Sequence, residues 1–232
     1  MITFKNLKKS YAKNVVLDID LLEIPKGQAF GLVGNNGAGK TTMFSCLLDL
    51  IKPTKGIVTN NGINVRESED WKTFSSAYLD ESFLIGYLMP EEYFYFIGEL
   101  RNVKQKEVYE FLKQFEDLFN GEILGGKKYI RDLSKGNQKK VGIVAALIGS
   151  PSVIILDEPF ANLDPTTQIR LKKIIKKLST YNRVTVLISS HDLQDVTEVS
   201  ERIVLLEKGK IIKDIKTSKK TLKELESYFT KE

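Results

Sequence analysis

A segment near the N-terminus has the residue types and spacing that bind phosphate groups. It reads Gly34-Asn35-Asn36-Gly37-Ala38-Gly39-Lys40-Thr41, followed by Thr42. Glycines let the backbone wrap an anion, so that consecutive N–H groups and the positive end of a following helix face phosphate oxygens. We expect Lys40 to reach the terminal phosphates and the Thr41 hydroxyl to ligate Mg²⁺. The pattern G-x-x-x-x-G-K-[ST] predicts nucleotide binding but is shared by kinases, GTPases, helicases and transporters.

Two adjacent carboxylates have the chemistry that a hydrolytic reaction needs. Asp157 and Glu158 follow the apolar run at residues 153–156, and ligands collect at the carboxyl ends of parallel strands. We predict that Asp157 contacts Mg²⁺, directly or through another ligand, and that Glu158 accepts a proton from the attacking water. The structural alternative is that the two acids simply begin a surface turn.

The elements around these residues alternate between strand and helix patterns. Residues 29–33 are a buried apolar run before the glycine-rich segment, and apolar residues at helical spacing follow it. Further along, residues 153–156 and 184–188 are typical of central parallel strands, with a helical pattern at 171–178 between them. The sequence therefore predicts an α/β fold with a mostly parallel sheet.

Two other parts of the chain depart from this alternation. Near the N-terminus, alternating apolar positions fit half-buried strands, and the pair Asn61-Gly62 is a signal for a hairpin turn. The middle of the chain carries three helical stripes, near residues 93–100, 108–115 and 141–148. We predict three units: a nucleotide-binding core with an antiparallel β subdomain (1–82), a helical subdomain (83–150), and the second part of the core with a basic tail (151–232).

Composition and net charge limit the compartment and the kinds of partner that we expect for the chain. The 232 residues are enough for one well-packed core, and the net charge is +5. Residues 208–232 hold eight lysines against four acids; their interleaving favours a solvated surface over a nucleic-acid or lipid site. The single cysteine, Cys46, lies in an apolar run and indicates a reducing compartment. We expect no signal peptide and no membrane-spanning helix, so any membrane role would depend on partners.

One motif carries a family resemblance. The segment Leu133-Ser134-Lys135-Gly136-Asn137-Gln138 resembles the signature L-S-G-G-Q of the ABC ATPases, and the resemblance extends from residue 11 to about residue 210. It implies a head-to-tail dimer in which Ser134 and Gly136 meet the γ-phosphate held by the opposite subunit. Lys135 and Asn137 depart from the family's glycine and glutamine, which leaves the hydrolysis rate open. The alternative for Ser134 is a helix cap.

The resemblance assigns further roles. Asp164 corresponds to the D-loop aspartate that communicates across the dimer; capping of a helix before Pro165 is the alternative, and both roles can hold. His191 resembles the histidine that senses the γ-phosphate. As the only histidine in the chain, it excludes a histidine metal cluster. Tyr11 corresponds to the aromatic that stacks on adenine, although stacking would tolerate GTP, and an exposed tyrosine packed on the hairpin is the alternative.

Glu81, in Tyr78-Leu79-Asp80-Glu81, departs from the residue that the family usually has at this position. The family usually has a glutamine here that touches Mg²⁺ and senses the membrane subunit. A carboxylate also ligates Mg²⁺ but adds negative charge beside the phosphates. Carboxylates at this position resemble a subset of bacterial exporter subunits.

Taken together, the resemblance implies a P-loop NTPase core with an N-terminal antiparallel β subdomain and an inserted α-helical subdomain. It implies an ATP- and Mg²⁺-dependent ATPase, peripheral on the cytoplasmic face of the cell membrane. As a homodimer or heterodimer it would drive transport, with export favoured, through separate transmembrane permease subunits; no nucleic-acid partner is expected. Two alternatives stay open: a soluble ABC ATPase acting as an assembly factor, and a degenerate subunit that binds ATP but hardly hydrolyses it. The cargo is not indicated.

Overall fold

The computed structural model describes residues 1–181 and 183–229; the end of the predicted basic tail, residues 230–232, lies outside the described residues, as does residue 182. Within the described part, the strands form two sheets. The strands are β1 (Ile2–Tyr11), β2 (Asn14–Ile24), β3 (Ala29–Val33), β4 (Lys55–Asn60), β5 (Ile63–Asn64), β6 (Ser75–Tyr78), β7 (Val153–Asp157), β8 (Thr185–Ser190), β9 (Arg202–Glu207) and β10 (Lys210–Lys216).

The first sheet is antiparallel, with strand order β2-β1-β4-β5. Asn61 and Gly62 join β4 to β5 with φ values of 53° and 83°, the pair of left-handed conformations that a two-residue hairpin turn of type I′ requires. The predicted hairpin and the N-terminal antiparallel sheet are therefore confirmed.

The second sheet has the order β10-β9-β3-β8-β7-β6. All of its neighbouring pairs are parallel except β9 and β10, which confirms the mostly parallel core. The predicted strand at residues 184–188 is shifted: β8 begins at Thr185 and continues to Ser190. The two extra serines were not predicted because they are polar, yet they are buried and follow the register of β7, with Asp157 opposite Ser189.

Helices pack against the second sheet, and several fill the segment between β6 and β7. They are α1 (Lys40–Leu47), α2 (Pro90–Leu100), α3 (Gln105–Leu112), α4 (Glu116–Phe119), α5 (Lys135–Ala145), α6 (Pro165–Thr180), α7 (Leu193–Val199) and α8 (Thr221–Phe229). The apolar stripe placed a helix near residues 141–148, but α5 begins six residues earlier, at Lys135. The first turns of α5 are polar, so the apolar stripe in the sequence indicated only the second half of the helix. Among the described residues, none of the helices has the length and apolar character to cross a membrane.

The core consists of separate clusters that meet at the parallel sheet. In one cluster, Phe94 of α2 and Phe119 of α4 stack with ring centroids 5.8 Å apart. Phe4, Phe30 and Phe44 are fully buried in a second cluster between the two sheets. Helix α1 packs against β2, β4 and β7, so both sheets fix the loop before it. Cys46 on α1 is buried, as predicted, and burial raises the pKa of its thiol to about 11.

The close packing of α7 on β3 gives a stability prediction. A Cβ at Gly31 would overlap the Val196 side chain and lie 2.8 Å from Ser200 Oγ. Gly31→Ala should therefore lower the free energy of unfolding by about 1–3 kcal/mol, the usual cost of overpacking, measured by urea denaturation. Gly126→Ala is the control, because a Cβ there meets no atom within 4 Å. Equal urea midpoints for the two variants would contradict this packing.

Candidate active site

The glycine-rich segment forms the loop between β3 and α1. A Cβ at Gly34 would overlap the Leu206 carbonyl, and Gly39, the N-cap of α1, has a φ of 108° that favours glycine. The loop borders a cavity of about 230 Å³. Its lining includes seven of the predicted nucleotide-binding residues and the predicted base: Asn36, Gly37, Ala38, Gly39, Lys40, Thr41, Thr42 and Glu158.

Lys40 is held at the centre of this loop and is only 6% exposed. Its Nζ donates to the Gly34 carbonyl at 2.6 Å and, more weakly, to the Asn35 carbonyl at 3.5 Å. The same Nζ lies 3.4 Å from Glu158 Oε1. Gly34 and Asn35 therefore contribute through their carbonyls, and the ammonium group is directed to the side of the cavity where Glu158 lies.

Asp157 is buried at the end of β7 and bonded by two hydroxyls. Thr41 Oγ1 donates to Asp157 Oδ2 at 2.5 Å, and Ser189 Oγ donates to Oδ1. Burial raises the pKa of the Asp157 carboxyl, and the two hydroxyl donors oppose that rise. Sequence reasoning missed Ser189. The signal was its polar side chain at the end of an apolar strand pattern, which is unusual for a buried position.

Glu158 lies between Lys40 and His191. Its Oε2 is 2.9 Å from His191 Nδ1 and also accepts from the His191 backbone N–H at 3.4 Å. The Glu158 backbone N–H donates to Ser189 Oγ at 3.0 Å. The structure thus brings together a cation, a carboxylate and an imidazole from three separate segments; Lys40 and Glu158 line the cavity at the glycine-rich loop, and His191 contacts Glu158.

The oxygen atoms of Thr41 and Asp157 suit Mg²⁺, which prefers hard oxygen ligands and usually takes one or two carboxylates together with substrate phosphates and water. Glu81 has a different contact: its Oε1 accepts from Tyr78 Oη at 2.8 Å. Burial and, second, that bond raise the pKa of the Tyr78 phenol. In residues 1–181 and 183–229, no three His, Cys, Asp or Glu side chains form a group that could hold a metal ion. A Mg²⁺ role for Glu81 stays a prediction.

The remaining predicted residues lie outside this cavity. Tyr11 is 51% exposed at the end of β1, with Lys9 Nζ 4.6 Å from its ring centroid. Ser134 is the exposed N-cap of α5 and accepts from the Asn137 N–H at 3.3 Å; Lys135 is exposed beside it. Asp164 caps α6, accepting from the Thr167 N–H at 3.0 Å. The capping alternatives for Ser134 and Asp164 are thus seen in the structure, and contacts across a dimer stay predictions.

Comparison with known proteins identifies a family for the chain. The ABC transporter family profile matches residues 17–161. The bacitracin transport ATP-binding protein BcrA of Enterococcus faecalis is 31% identical over 94% of this chain and 70% of its own length. The methionine import ATP-binding protein MetN of Francisella tularensis is 31% identical over 94% of this chain and 64% of its own length.

A solved structure is also similar over nearly the whole chain. It is the dimeric structure of a post-hydrolysis state of the ATP-binding cassette MJ0796 bound to ADP and Pi, with a TM-score of 0.80 and 27% identity. The match covers 94% of this chain and 99% of that one. The profile, the relatives and the fold agree with one another, and the chain belongs to the ABC transporter family, as an ATP-binding and ATP-hydrolysing subunit.

Proposed function

We propose that the chain is one of two ATP-binding subunits that close head to tail on ATP, as a homodimer or heterodimer, and drive transport through separate transmembrane permease subunits. The observation that carries this proposal is the placement of Glu158 between Lys40 and His191 beside the glycine-rich loop, with distances of 3.4 Å and 2.9 Å. The dimeric state of MJ0796 supports the pairing.

The reaction follows from these positions. The backbone N–H groups of the loop and Lys40 bind the phosphates, and Glu158 orients a water molecule for in-line attack and accepts its proton. His191 holds the terminal phosphate. Thr41 and Asp157 would hold Mg²⁺, which neutralises phosphate charge when it is bound. In a dimer, Ser134 and Gly136 of the opposite subunit would complete the site, and the exposed Lys135 would add positive charge there.

The permease subunits would dock near Glu81. Phe83 and Leu50 are 57% and 50% exposed, and they border a second cavity of about 230 Å³. The nearby aromatic segment at residues 93–96 would contribute less, because Tyr93 and Phe94 are buried and only Phe96 is exposed, at 39%. Peripheral attachment at the cytoplasmic face is part of this proposal.

Export is the proposed direction of transport. BcrA and MetN are each 31% identical to the chain, so a transport assay is the test of direction.

Replacement of the proposed base should stop hydrolysis but not ATP binding. Glu158→Gln keeps the shape of the side chain and cannot accept the proton, so kcat for phosphate release should fall at least about 100-fold. Light scattering should detect a dimer of this variant with ATP. Glu99→Gln, at an exposed position, should hydrolyse like the wild type. Normal turnover by Glu158→Gln would refute the assignment of the base.

Removal of the loop cation should weaken ATP binding instead. Lys40→Ala deletes a charge-assisted contact of about 1.5–3 kcal/mol, so the Kd for ATP should rise roughly 10- to 100-fold. Binding of a fluorescent ATP analogue measures the effect. The exposed Lys176 provides the control Lys176→Ala; if both variants bind ATP alike, Lys40 does not contact the phosphates.

Membrane association can be tested by fractionation of the native cells. Phe83→Glu places a charge on the proposed docking surface, so less of the chain should be recovered with membranes. Tyr181, the C-cap of α6, is 80% exposed. The control Tyr181→Glu should leave the recovery of the chain with membranes unchanged. Equal loss from both variants would contradict docking at Phe83. No recovery of the wild type with membranes would contradict the docking proposal altogether and favour a soluble assembly ATPase.

A further inference from the structure

Helix α5 buries two consecutive lysines. Lys139 and Lys140 are each 5% exposed, and lysine is almost never buried unless it is paired. Burial lowers the pKa of the Lys139 ammonium group. Its Nζ donates to the Glu158 backbone carbonyl at 2.8 Å. A buried cation therefore contacts the residue that we propose as the base, although no family motif in the sequence pointed to it.

The backbone of Glu158 needs such support. Its φ of 46° lies in the left-handed region, which a residue with a long side chain rarely adopts and keeps only where the surroundings hold it. The N–H group is held by Ser189 Oγ at 3.0 Å. The carbonyl accepts the short bond from Lys139 and a longer one, of 3.4 Å, from the Ala161 N–H. Since the backbone sets where the side chain begins, these bonds determine the position of the carboxylate.

One face of α5 connects this carbonyl to two loops. Gly136, Lys139 and Gly142 are three residues apart and share that face. A Cβ at Gly136 would lie 3.2 Å from the Asn162 carbonyl, in the loop after β7. A Cβ at Gly142 would overlap the ring of Tyr78, whose hydroxyl donates to Glu81. Along this face, Lys139 therefore lies between Gly136, which approaches the loop after β7, and Gly142, which approaches Tyr78.

The charges around Lys139 fit this position. The nearby carboxylates of Glu81, Glu158 and Asp157 favour its charged form and oppose the effect of burial. The carboxylate of Glu81 therefore contributes to the negative potential that keeps this buried lysine charged.

We propose that Lys139 is a positioning residue for ATP hydrolysis: its ammonium group holds the Glu158 carbonyl, fixes the carboxylate between Lys40 and His191, and links the helix that carries the signature segment to the base. The proposal rests on the proposed function, in which Glu158 is the base. Lys139 acts through Glu158 and does not itself contact the phosphates.

Lys140 provides a matched control. It is equally buried in the same helix, but its Nζ lies 3.6 Å from Glu122 Oε2. Lys139→Met and Lys140→Met each remove one buried ammonium group and keep a side chain of similar length, so any general effect on folding is shared. Only Lys139→Met removes the bond to Glu158.

The experiment compares steady-state ATP hydrolysis by the full-length variants. We expect Lys139→Met to lower kcat about 10- to 100-fold, the effect of displacing a catalytic group by about 1 Å, with KM for ATP within about twofold of the wild type. Lys140→Met should keep kcat within about twofold. Lys139→Arg, which retains a charged donor, should be more active than Lys139→Met. In a Glu158→Gln background, Lys139→Met should cause no further loss, because the two residues act as a unit.

A second measurement does not need turnover. Amide hydrogen exchange in residues 158–163 should be faster in Lys139→Met and unchanged in Lys140→Met. The proposal is overturned if the two Met variants share the same kcat or, where wild-type turnover is too slow to measure, the same exchange rates. Failure of the proposed function looks different, because Glu158→Gln would then hydrolyse ATP normally whatever the Lys139 variants do.

Discussion

The buried carboxylate of Asp157 is the constraint on which the rest of the site depends. An ionised group removed from water is costly unless hydrogen-bond donors replace the solvent. Here the donors are Thr41, from the first turn of α1, and Ser189, from β8. They meet only because β8 lies between β3 and β7, with Asp157 opposite Ser189. The order and register of the parallel strands thus set the distance between the glycine-rich loop and the end of β7.

The conformation of Glu158 follows from the same constraint. Ser189 bonds both to the Asp157 carboxylate and to the Glu158 N–H group, so one hydroxyl fixes two consecutive residues. The left-handed turn at Glu158 directs its side chain towards Lys40 and His191 instead of along the strand. Backbone strain of this kind is concentrated at functional sites, where surrounding contacts hold it. The inserted helices, through α5, supply one of those contacts.

Sequence patterns that span only a few residues predicted much of the fold. The apolar runs identified β3 and β7, and Asn61-Gly62 identified the hairpin between β4 and β5. Boundaries failed where polar residues occupy structured positions. Helix α5 begins with polar turns that carry no apolar stripe, and β8 ends in two buried serines. In both places the side chains are polar because they belong to the site or lie beside it, so hydrophobic periodicity could not detect them.

By itself, the sequence determined the glycine-rich loop, the adjacent carboxylates and the membership of the ABC family, because these depend on residues that are close together in the chain. The loop works through local backbone geometry, and Gly39 has the φ value that its position demands. Only the tertiary structure decided which distant groups meet. Thr41 and Asp157 are 116 residues apart, and Lys139 reaches a carbonyl 19 residues away. Such contacts depend on strand order, register and the burial of whole helices, and these are settled by the packing of the complete chain.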